Sequence, residues 1–113
     1  MEPEIRIEDY LKIDIRVGTI IMANINSKAK KPAYEMKIDF GPEIGIKTTS
    51  AQISEEYKPD SLINKQVVAI VNFPPKNIAG VVSEVLVLAA VEKEGRTIIL
   101  QPTKHVTEGS RIL

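Results

Sequence analysis

The sequence predicts a mainly β fold, a small closed barrel of five strands with only short helical turns. Segments rich in Val and Ile, which favour strands, recur between the seven prolines. No segment keeps apolar residues at helical spacing over several turns. Proline lacks an N–H and does not fit a paired central strand, so the prolines at 3, 32, 42, 59, 74, 75 and 102 indicate connections.

Taken in order, the predicted strands are 16–25, 34–40, 66–73, 84–91 and 96–101. Residues 44–50 add a short sixth piece, because Gly41, Pro42 and Gly45 predict a turn that folds it back beside 34–40. A second hairpin turn is indicated by Glu-Lys-Glu-Gly at 92–95. Single helical turns are predicted at 10–13, opened by Glu8 or Asp9, and at 54–57 and 59–62.

The predicted strands differ in how many apolar faces they have. In segment 34–40 apolar and charged residues alternate strictly, so one face of this strand is exposed to solvent. Segments 67–71 and 85–91 are apolar on both faces, which the outer surface of a small barrel tolerates only when something covers it. With so little helical signal, we expect a second copy to provide the cover, in a homodimer. The alternative is that the short turns and the termini cover these strands.

Length and composition indicate one compact globular domain over residues 1–113. The hydrophobic content of 43% argues against disorder, and no apolar run is long enough for insertion into a membrane. Glu2 and Glu4 follow Met1 at once, which is unlike a secretory signal, so a cytoplasmic location is expected. The chain has no cysteine, and its 15 basic residues balance 15 acidic ones, so no global field draws it onto nucleic acid.

Residue patterns for catalysis are nearly absent, so the sequence predicts a protein that is not an enzyme and needs no cofactor. His105 is the only histidine and lies in a polar stretch. Because the chain has no second histidine and no cysteine, His105 cannot complete a zinc site. The carboxylates follow no metal-binding motif. The glycines form no phosphate-binding loop, and no serine stands in a GxSxG context.

The distribution of charge is more informative than its sum. Residues 28–37 carry Lys28, Lys30, Lys31 and Lys37 against one acid, a charge of +3. Residues 61–83 carry +2, which leaves −5 for the remainder. Such lysines are either an ordinary solvated surface or a binding rim.

The segment 72–80, Asn-Phe-Pro-Pro-Lys-Asn-Ile-Ala-Gly, predicts a stiff loop that presents Lys76 and Asn77 at its tip. Alternatively the two prolines simply end a strand. Tyr34 and Phe40 could each add a stacking surface or belong to the core.

Several sequence blocks, in order, closely resemble the CsaA family of small export-related chaperones. They are IDIRVGTI at 13–20, KPAY at 31–34, IDFG at 38–41, SAQI at 50–53, VNFPPK at 71–76 and SEVLVL at 83–88. The resemblance runs from about residue 7 to the C-terminus. CsaA is itself similar to free-standing tRNA-binding proteins and to the C-terminal domains of methionyl-tRNA synthetases. The resemblance implies that this chain forms an OB-fold barrel that dimerises.

The resemblance also implies a function, an ATP-independent chaperone that binds unfolded or presecretory polypeptides as a dimer and delivers them to the export machinery. Peptide binding would use a groove near the dimer interface. The positions that match a binding rim are Lys31, Tyr34, Asn72, Lys76 and Ser83, with Phe40 and Phe73 as an apolar pocket.

Two other functions stay open. The first is structure-specific tRNA binding. Fewer cations follow Asn72 here than in the tRNA-binding relatives, and Glu84 follows Ser83, which predicts weak phosphate neutralisation. The second is a dimerisation and tRNA-binding module that acts in trans for an aminoacyl-tRNA synthetase.

Overall fold

The computed structural model describes residues 1–28, 30, 33–53 and 56–113. Its elements are α1 (Ile7–Leu11), β1 (Ile15–Ile25), β2 (Tyr34–Asp39), β3 (Ile46–Ala51), α2 (Pro59–Leu62), β4 (Gln66–Ile70), β5 (Lys76–Ile78), β6 (Val81–Ser83), β7 (Leu86–Val87), β8 (Ala89–Val91) and β9 (Thr97–Ile99). Five antiparallel strands form a nearly closed barrel in the order β3-β2-β1-β4-β7. The predicted five-stranded OB-fold barrel is confirmed.

The long strand β1 organises the barrel because it pairs with two neighbours. Its first half pairs with β4, and its second half pairs with β2. A register shift between Ile20 and Met22 marks a bulge, which bends the strand so that both pairings are possible. Gly18 leaves room for the core, since a Cβ there would lie 2.5 Å from Cγ2 of Ile38 and 2.7 Å from Cε1 of Phe40.

Strand β3 corresponds to the short sixth piece that the sequence predicts at 44–50, and it is fully paired. It runs beside β2 over the whole length of that strand, from Tyr34 opposite Ala51 to Asp39 opposite Ile46. The turn before it is confirmed, because Gly41 and Gly45 both have φ of +86° and the N–H of Gly45 donates to the carbonyl of Gly41 at 2.7 Å.

Side chains close the barrel where β3 meets the segment before β7. The N–H of Glu84 donates to the carbonyl of Thr48 at 2.8 Å. The hydroxyl of Thr49, a buried residue, donates to the carbonyl of Val85, also at 2.8 Å. These bonds join the two edges, so that the sheet has little exposed backbone at this seam.

The barrel interior holds the main core, and a second apolar cluster lies on its outer side. The interior is filled by Ile20, Met36, Ile38, Phe40, Leu62 and Val67, among others. The second cluster consists of Ile15, Val17, Val68 and Ile70, against which Tyr10, Ile13, Leu88, Val106 and Ile112 pack. Strand β4 is therefore buried on both faces, as its sequence predicts.

This packing corrects the expectation that a second copy covers the outer face of β4. The segments near the two termini cover it instead, as in the alternative interpretation, because Tyr10, Ile13 and Ile112 pack onto the second cluster. On the segment 85–91, Leu86, Ala90 and Val91 do remain exposed. A homodimer thus stays a prediction that concerns only this exposed part.

Other elements differ from the sequence predictions in extent. The predicted strand 84–91 is divided into β7 and β8, and the strand predicted to reach residue 73 ends at Ile70. The turn at 92–95 is confirmed by Gly95, whose φ is +88°. The helical turn at 59–62 is confirmed as α2, whereas α1 begins earlier than predicted, at Ile7. The turn predicted at 54–57 includes residues that lie outside the described part.

Candidate functional site

A groove of about 310 Å³ lies between the β5–β6 hairpin and the barrel. The segment 72–80, which the sequence predicts to be a stiff loop, is instead partly a strand, since Lys76 pairs with Ser83 and Ile78 with Val81. The groove is lined by apolar side chains from Phe73, Pro74, Ile78, Val85 and Leu86 and by polar ones from Lys76, Ser83 and Glu84. Phe73 and Leu86 are each 49% exposed, so the groove offers accessible apolar surface.

The hairpin is fixed to β3 by a polar cluster at its second end. Ser83 Oγ lies 3.0 Å from Thr49 Oγ1, donates to the carbonyl of Val85 at 3.2 Å and accepts from the N–H of Ser50 at 3.4 Å. Glu84 adds a contact, because its carboxylate accepts from the N–H of Thr48 at 3.0 Å. The hydroxyl of Ser83, a predicted binding group, is therefore used to hold the hairpin in place.

Asn72 fixes the other end of the same segment. Its Oδ1 accepts from the N–H of Asp14 at 2.9 Å, and its Nδ2 donates to the carbonyl of Lys12 at 2.8 Å. Both ends of the amide thus bind the chain that leads into β1. Asn72 stands next to Phe73 at the groove, where it positions the segment 73–76.

The tip of the hairpin lies beside a lysine of the first basic zone, residues 28–37. Ala79 and Gly80 both have positive φ, +49° and +86°, and Asn77 Oδ1 accepts from the N–H of Gly80 at 3.0 Å. Lys28 follows β1, yet its Nζ lies 3.9 Å from the position that a Cβ on Gly80 would occupy. One cation from residues 28–37 therefore stands against the hairpin that carries Lys76. In an OB-fold the β1–β2 loop and the loop before the last barrel strand commonly bind ligands.

The remaining predicted site residues lie in three different places. Lys30 and Lys37 are exposed, Lys37 on the outer face of β2 opposite Thr48. Lys31 lies outside the described residues. Tyr34 and Phe40 are core residues, 3% and 1% exposed, and the hydroxyl of Tyr34 donates to the carbonyl of Tyr57. The proposed apolar pocket of Phe40 and Phe73 is therefore not formed, because Phe40 faces the barrel interior and only Phe73 lines the groove.

The outer face of β2 and β3 has little of the chemistry that reads nucleic-acid bases. Glu35 and Asp39 flank Lys37 on β2, so this strand face carries net negative charge. The facing residues of β3 are Ile46, Thr48 and Ser50, none of them aromatic. Stacking and phosphate neutralisation, the usual basis of single-strand binding on this face, would have to come from elsewhere.

Five residues that line the groove are not among the predicted site residues: Pro74, Ile78, Glu84, Val85 and Leu86. The sequence predicts a loop at Ile78 and, at Leu86, a strand with both faces covered. The signal for Leu86 was its position one residue after Val85, since neighbouring strand residues face opposite ways and only Val85 belongs to the core. At Glu84 the sequence indicates only a difference from the tRNA-binding relatives.

A second cleft, of about 400 Å³, lies between α1 and the C-terminal tail. It is lined by Tyr10, Leu11, Ile13, Arg111, Ile112 and Leu113. None of the residues predicted for the site lies in it. Leu11 is 60% exposed at its edge, so the cleft adds a second accessible apolar surface.

Charged groups with shifted pKa lie away from the groove. The pKa of the Glu108 carboxyl is lowered by its own backbone N–H and by the hydroxyl of Thr19, which donates to it at 3.0 Å. The hydrogen bond from Arg16 to Asp14 raises the pKa of the guanidinium. Among the described residues no three His, Asp or Glu side chains are grouped to hold a metal ion. No helix in that part of the chain is long and apolar enough to cross a bilayer.

Comparisons with known proteins agree on one family. The family model described as "Putative tRNA binding domain" matches residues 15–111. The crystal structure of chaperone CsaA from Bacillus anthracis shares 45% identity with a TM-score of 0.93, covering 98% of this chain and 100% of that one. The CsaA chaperone protein from Picrophilus torridus shares 49% identity with a TM-score of 0.90, covering 97% and 100%.

A methionine–tRNA ligase of Bacteroides fragilis is 37% identical over 108 residues, which are 96% of this chain. The match spans only 16% of the length of that ligase.

Proposed function

The chain belongs to the tRNA-binding domain family, in its CsaA branch, and on that premise we propose that it is an ATP-independent chaperone. It binds unfolded or presecretory polypeptide segments as a cytoplasmic homodimer and assists protein export. The observation that carries the proposal is the accessible apolar groove beneath the β5–β6 hairpin, in a chain that matches CsaA chaperones over nearly its whole length.

The groove suits an extended polypeptide better than a compact ligand. Phe73 and Leu86 stand half exposed at its sides, and Val85 and Ile78 form its floor. An extended segment can place apolar side chains between them while its backbone stays near polar groups at the rim. Both ends of the hairpin are held by hydrogen bonds, from Asn72 and from Ser83, so the site needs little ordering on binding.

The homodimer forms, in this proposal, through apolar residues of β8 that the terminal segments leave uncovered. Val91 is 71% exposed and follows Ala90, which is also exposed. We expect Val91→Glu to give a monomer mass by light scattering, whereas Leu11→Glu, at the second cleft, leaves a dimer. A monomer only with Leu11→Glu would move the interface to α1, and a monomeric parent protein would refute the dimer.

Chaperone activity is tested by the aggregation of a denatured protein diluted into buffer without nucleotide. The parent protein should suppress aggregation at stoichiometric excess and bind apolar peptides at micromolar strength. Leu86→Ser should weaken both, while Ile63→Ser, an exposed isoleucine outside the groove lining, should leave both unchanged. Aggregation that proceeds at the same rate with and without the protein would contradict the proposal.

Binding of tRNA is the second candidate function, and the contact of Lys28 with Gly80 favours it. It places Lys28, a cation of the β1–β2 loop, beside the tip of the hairpin that carries Lys76. Binding through phosphates falls steeply with salt, in proportion to the number of phosphates neutralised. RNA binding is supported if the dependence of tRNA affinity on salt concentration is weaker in Lys28→Glu and Lys76→Glu but unchanged in Lys93→Glu. A parent protein that shows no salt-dependent tRNA binding, even at low salt, counts against it. A module acting in trans for a synthetase would bind tRNA in the same assay.

A further inference from the structure

The groove has two charged residues at its rim, Glu84 and Lys76, and only Glu84 has charged or hydrogen-bonding partners among the described residues. The carboxylate of Glu84 accepts from the N–H of Thr48 at 3.0 Å and lies 3.8 Å from Nζ of Lys47. Its charge is therefore largely compensated by groups of the barrel. Lys76 is exposed, and within the described residues it forms no ion pair.

Lys28 adds to this imbalance at the tip of the hairpin. Its ammonium lies beside Gly80, in the turn that follows the strand beginning with Lys76. Among the described residues the groove thus has an apolar lining, one anion that pairs with Lys47 and one cation without a partner, Lys76. Lys28 stands outside this lining, at the tip of the hairpin. The one charge of the groove lining that no described group compensates is therefore positive.

We propose that the groove selects polypeptide segments in which an acidic residue stands two positions from a large apolar one, and that Lys76 sets this preference. The inference rests on the proposed polypeptide-binding function and names the kind of segment that the same site takes. Lys76 and Ile78 line the groove from alternate positions of β5. Side chains two apart in an extended segment also share one face, so the acid meets Lys76 while the apolar residue meets Ile78 and Leu86.

The size of the preference follows from the exposure of Lys76. Ion pairs at a solvated surface change affinity by about 1.5- to 5-fold each, and salt screens them. A segment with aspartate at the charged position should therefore bind a few-fold more tightly than one with asparagine. A segment with lysine there should bind a few-fold more weakly, because it faces Lys76.

The test uses three labelled peptides of equal length that differ only at that position, with Asp, Asn or Lys two residues before a leucine. Fluorescence anisotropy titrations are made with the parent protein, Lys76→Gln, Lys76→Glu and the distant control Lys93→Glu. We expect the order Asp, Asn, Lys for the parent and for Lys93→Glu, equal affinities for Lys76→Gln, and the reverse order for Lys76→Glu. Urea midpoints of all four proteins show that folding is intact.

Two results would overturn the inference. The parent protein could bind the three peptides equally, or Lys76→Glu could keep the original order. In either case the proposed function survives, since peptides still bind. Binding of none of the three by the folded parent protein refutes the proposed function itself, so the two failures are distinguishable.

Discussion

Replacing Thr49 by valine removes the hydroxyl that joins the two edges of the barrel while it keeps the shape of the side chain. Thr49 is 1% exposed, and its Oγ1 donates to the carbonyl of Val85 at 2.8 Å. Ser83 Oγ lies 3.2 Å from the same carbonyl. Two hydroxyls thus serve one buried acceptor at the floor of the groove.

The expected cost follows from this sharing. A hydrogen bond between neutral groups contributes about 0.5–1.5 kcal/mol, and an acceptor left unsatisfied costs about 1–3 kcal/mol. In Thr49→Val, Ser83 still donates to Val85, so we expect a loss of about 1 kcal/mol. Ser83→Ala alone should cost less than that. The double variant leaves the carbonyl without a donor and should lose about 1 kcal/mol more than the sum of the single losses.

Urea denaturation followed by far-UV circular dichroism measures these differences, since 1 kcal/mol corresponds to a midpoint shift of roughly 0.3–1 M. Thr49→Ser keeps the hydroxyl and serves as the control, with a smaller loss from the missing methyl group. Peptide affinity should fall in the double variant, because Val85 forms the floor of the groove. If the single losses add to within about 0.5 kcal/mol of the double, the hydroxyls do not share the acceptor and the reasoning is wrong.

Three further predictions concern other parts of the chain. Gly18→Ala should cost about 1–3 kcal/mol, because the new Cβ would lie 2.7 Å from Cε1 of Phe40, and Phe40→Leu should recover part of the loss; an unchanged melting temperature would refute the overlap. Ala79→Asn should raise the melting temperature, since asparagine tolerates the left-handed conformation of φ +49° better than alanine; a lower value would contradict this. Glu108 has a lowered pKa, so its stabilising contribution is present above the ordinary carboxyl pKa and is lost as the pH falls through the folded value. The urea midpoints at pH 7 and pH 3 should therefore differ less in Glu108→Gln than in the parent protein. The same difference in both proteins would show that Glu108 does not contribute to the loss of stability in acid.

Local patterns were enough to predict most of the barrel. The alternation of 34–40 identified the inward-facing residues Met36 and Ile38, which are fully buried. Glycine at 45 and 95 identified two turns, because each takes a positive φ that other residues avoid. These signals depend on neighbouring residues alone, and the structure agrees with them.

The parts that could not be predicted depend on contacts between distant segments or on residues with no turn preference. The β5–β6 hairpin turns at Ala79 and Gly80, and although Gly80 predicts that the chain turns back there, alanine gives no sign of the left-handed conformation that it adopts. Terminal residues such as Ile112 cover β4, which no local pattern reveals. Asn72 follows a strand and precedes two prolines, but its sequence context does not show that its amide binds Lys12 and Asp14, about 60 positions away.

The C-terminal tail ends against the helix that precedes the first strand. The hydroxyl of Tyr10 donates to the carbonyl of Leu113 at 2.8 Å. The backbone of Arg111 forms an isolated antiparallel β-bridge with that of Arg16. The helix α1 and residues 111–113 are thus neighbours, so a peptide linker from Leu113 to the segment before α1 could give a circular permutant. New ends opened at the exposed turn 93–94 would interrupt neither the barrel nor the groove. The barrel and its groove should therefore form even when the strands follow one another along the chain in a different order.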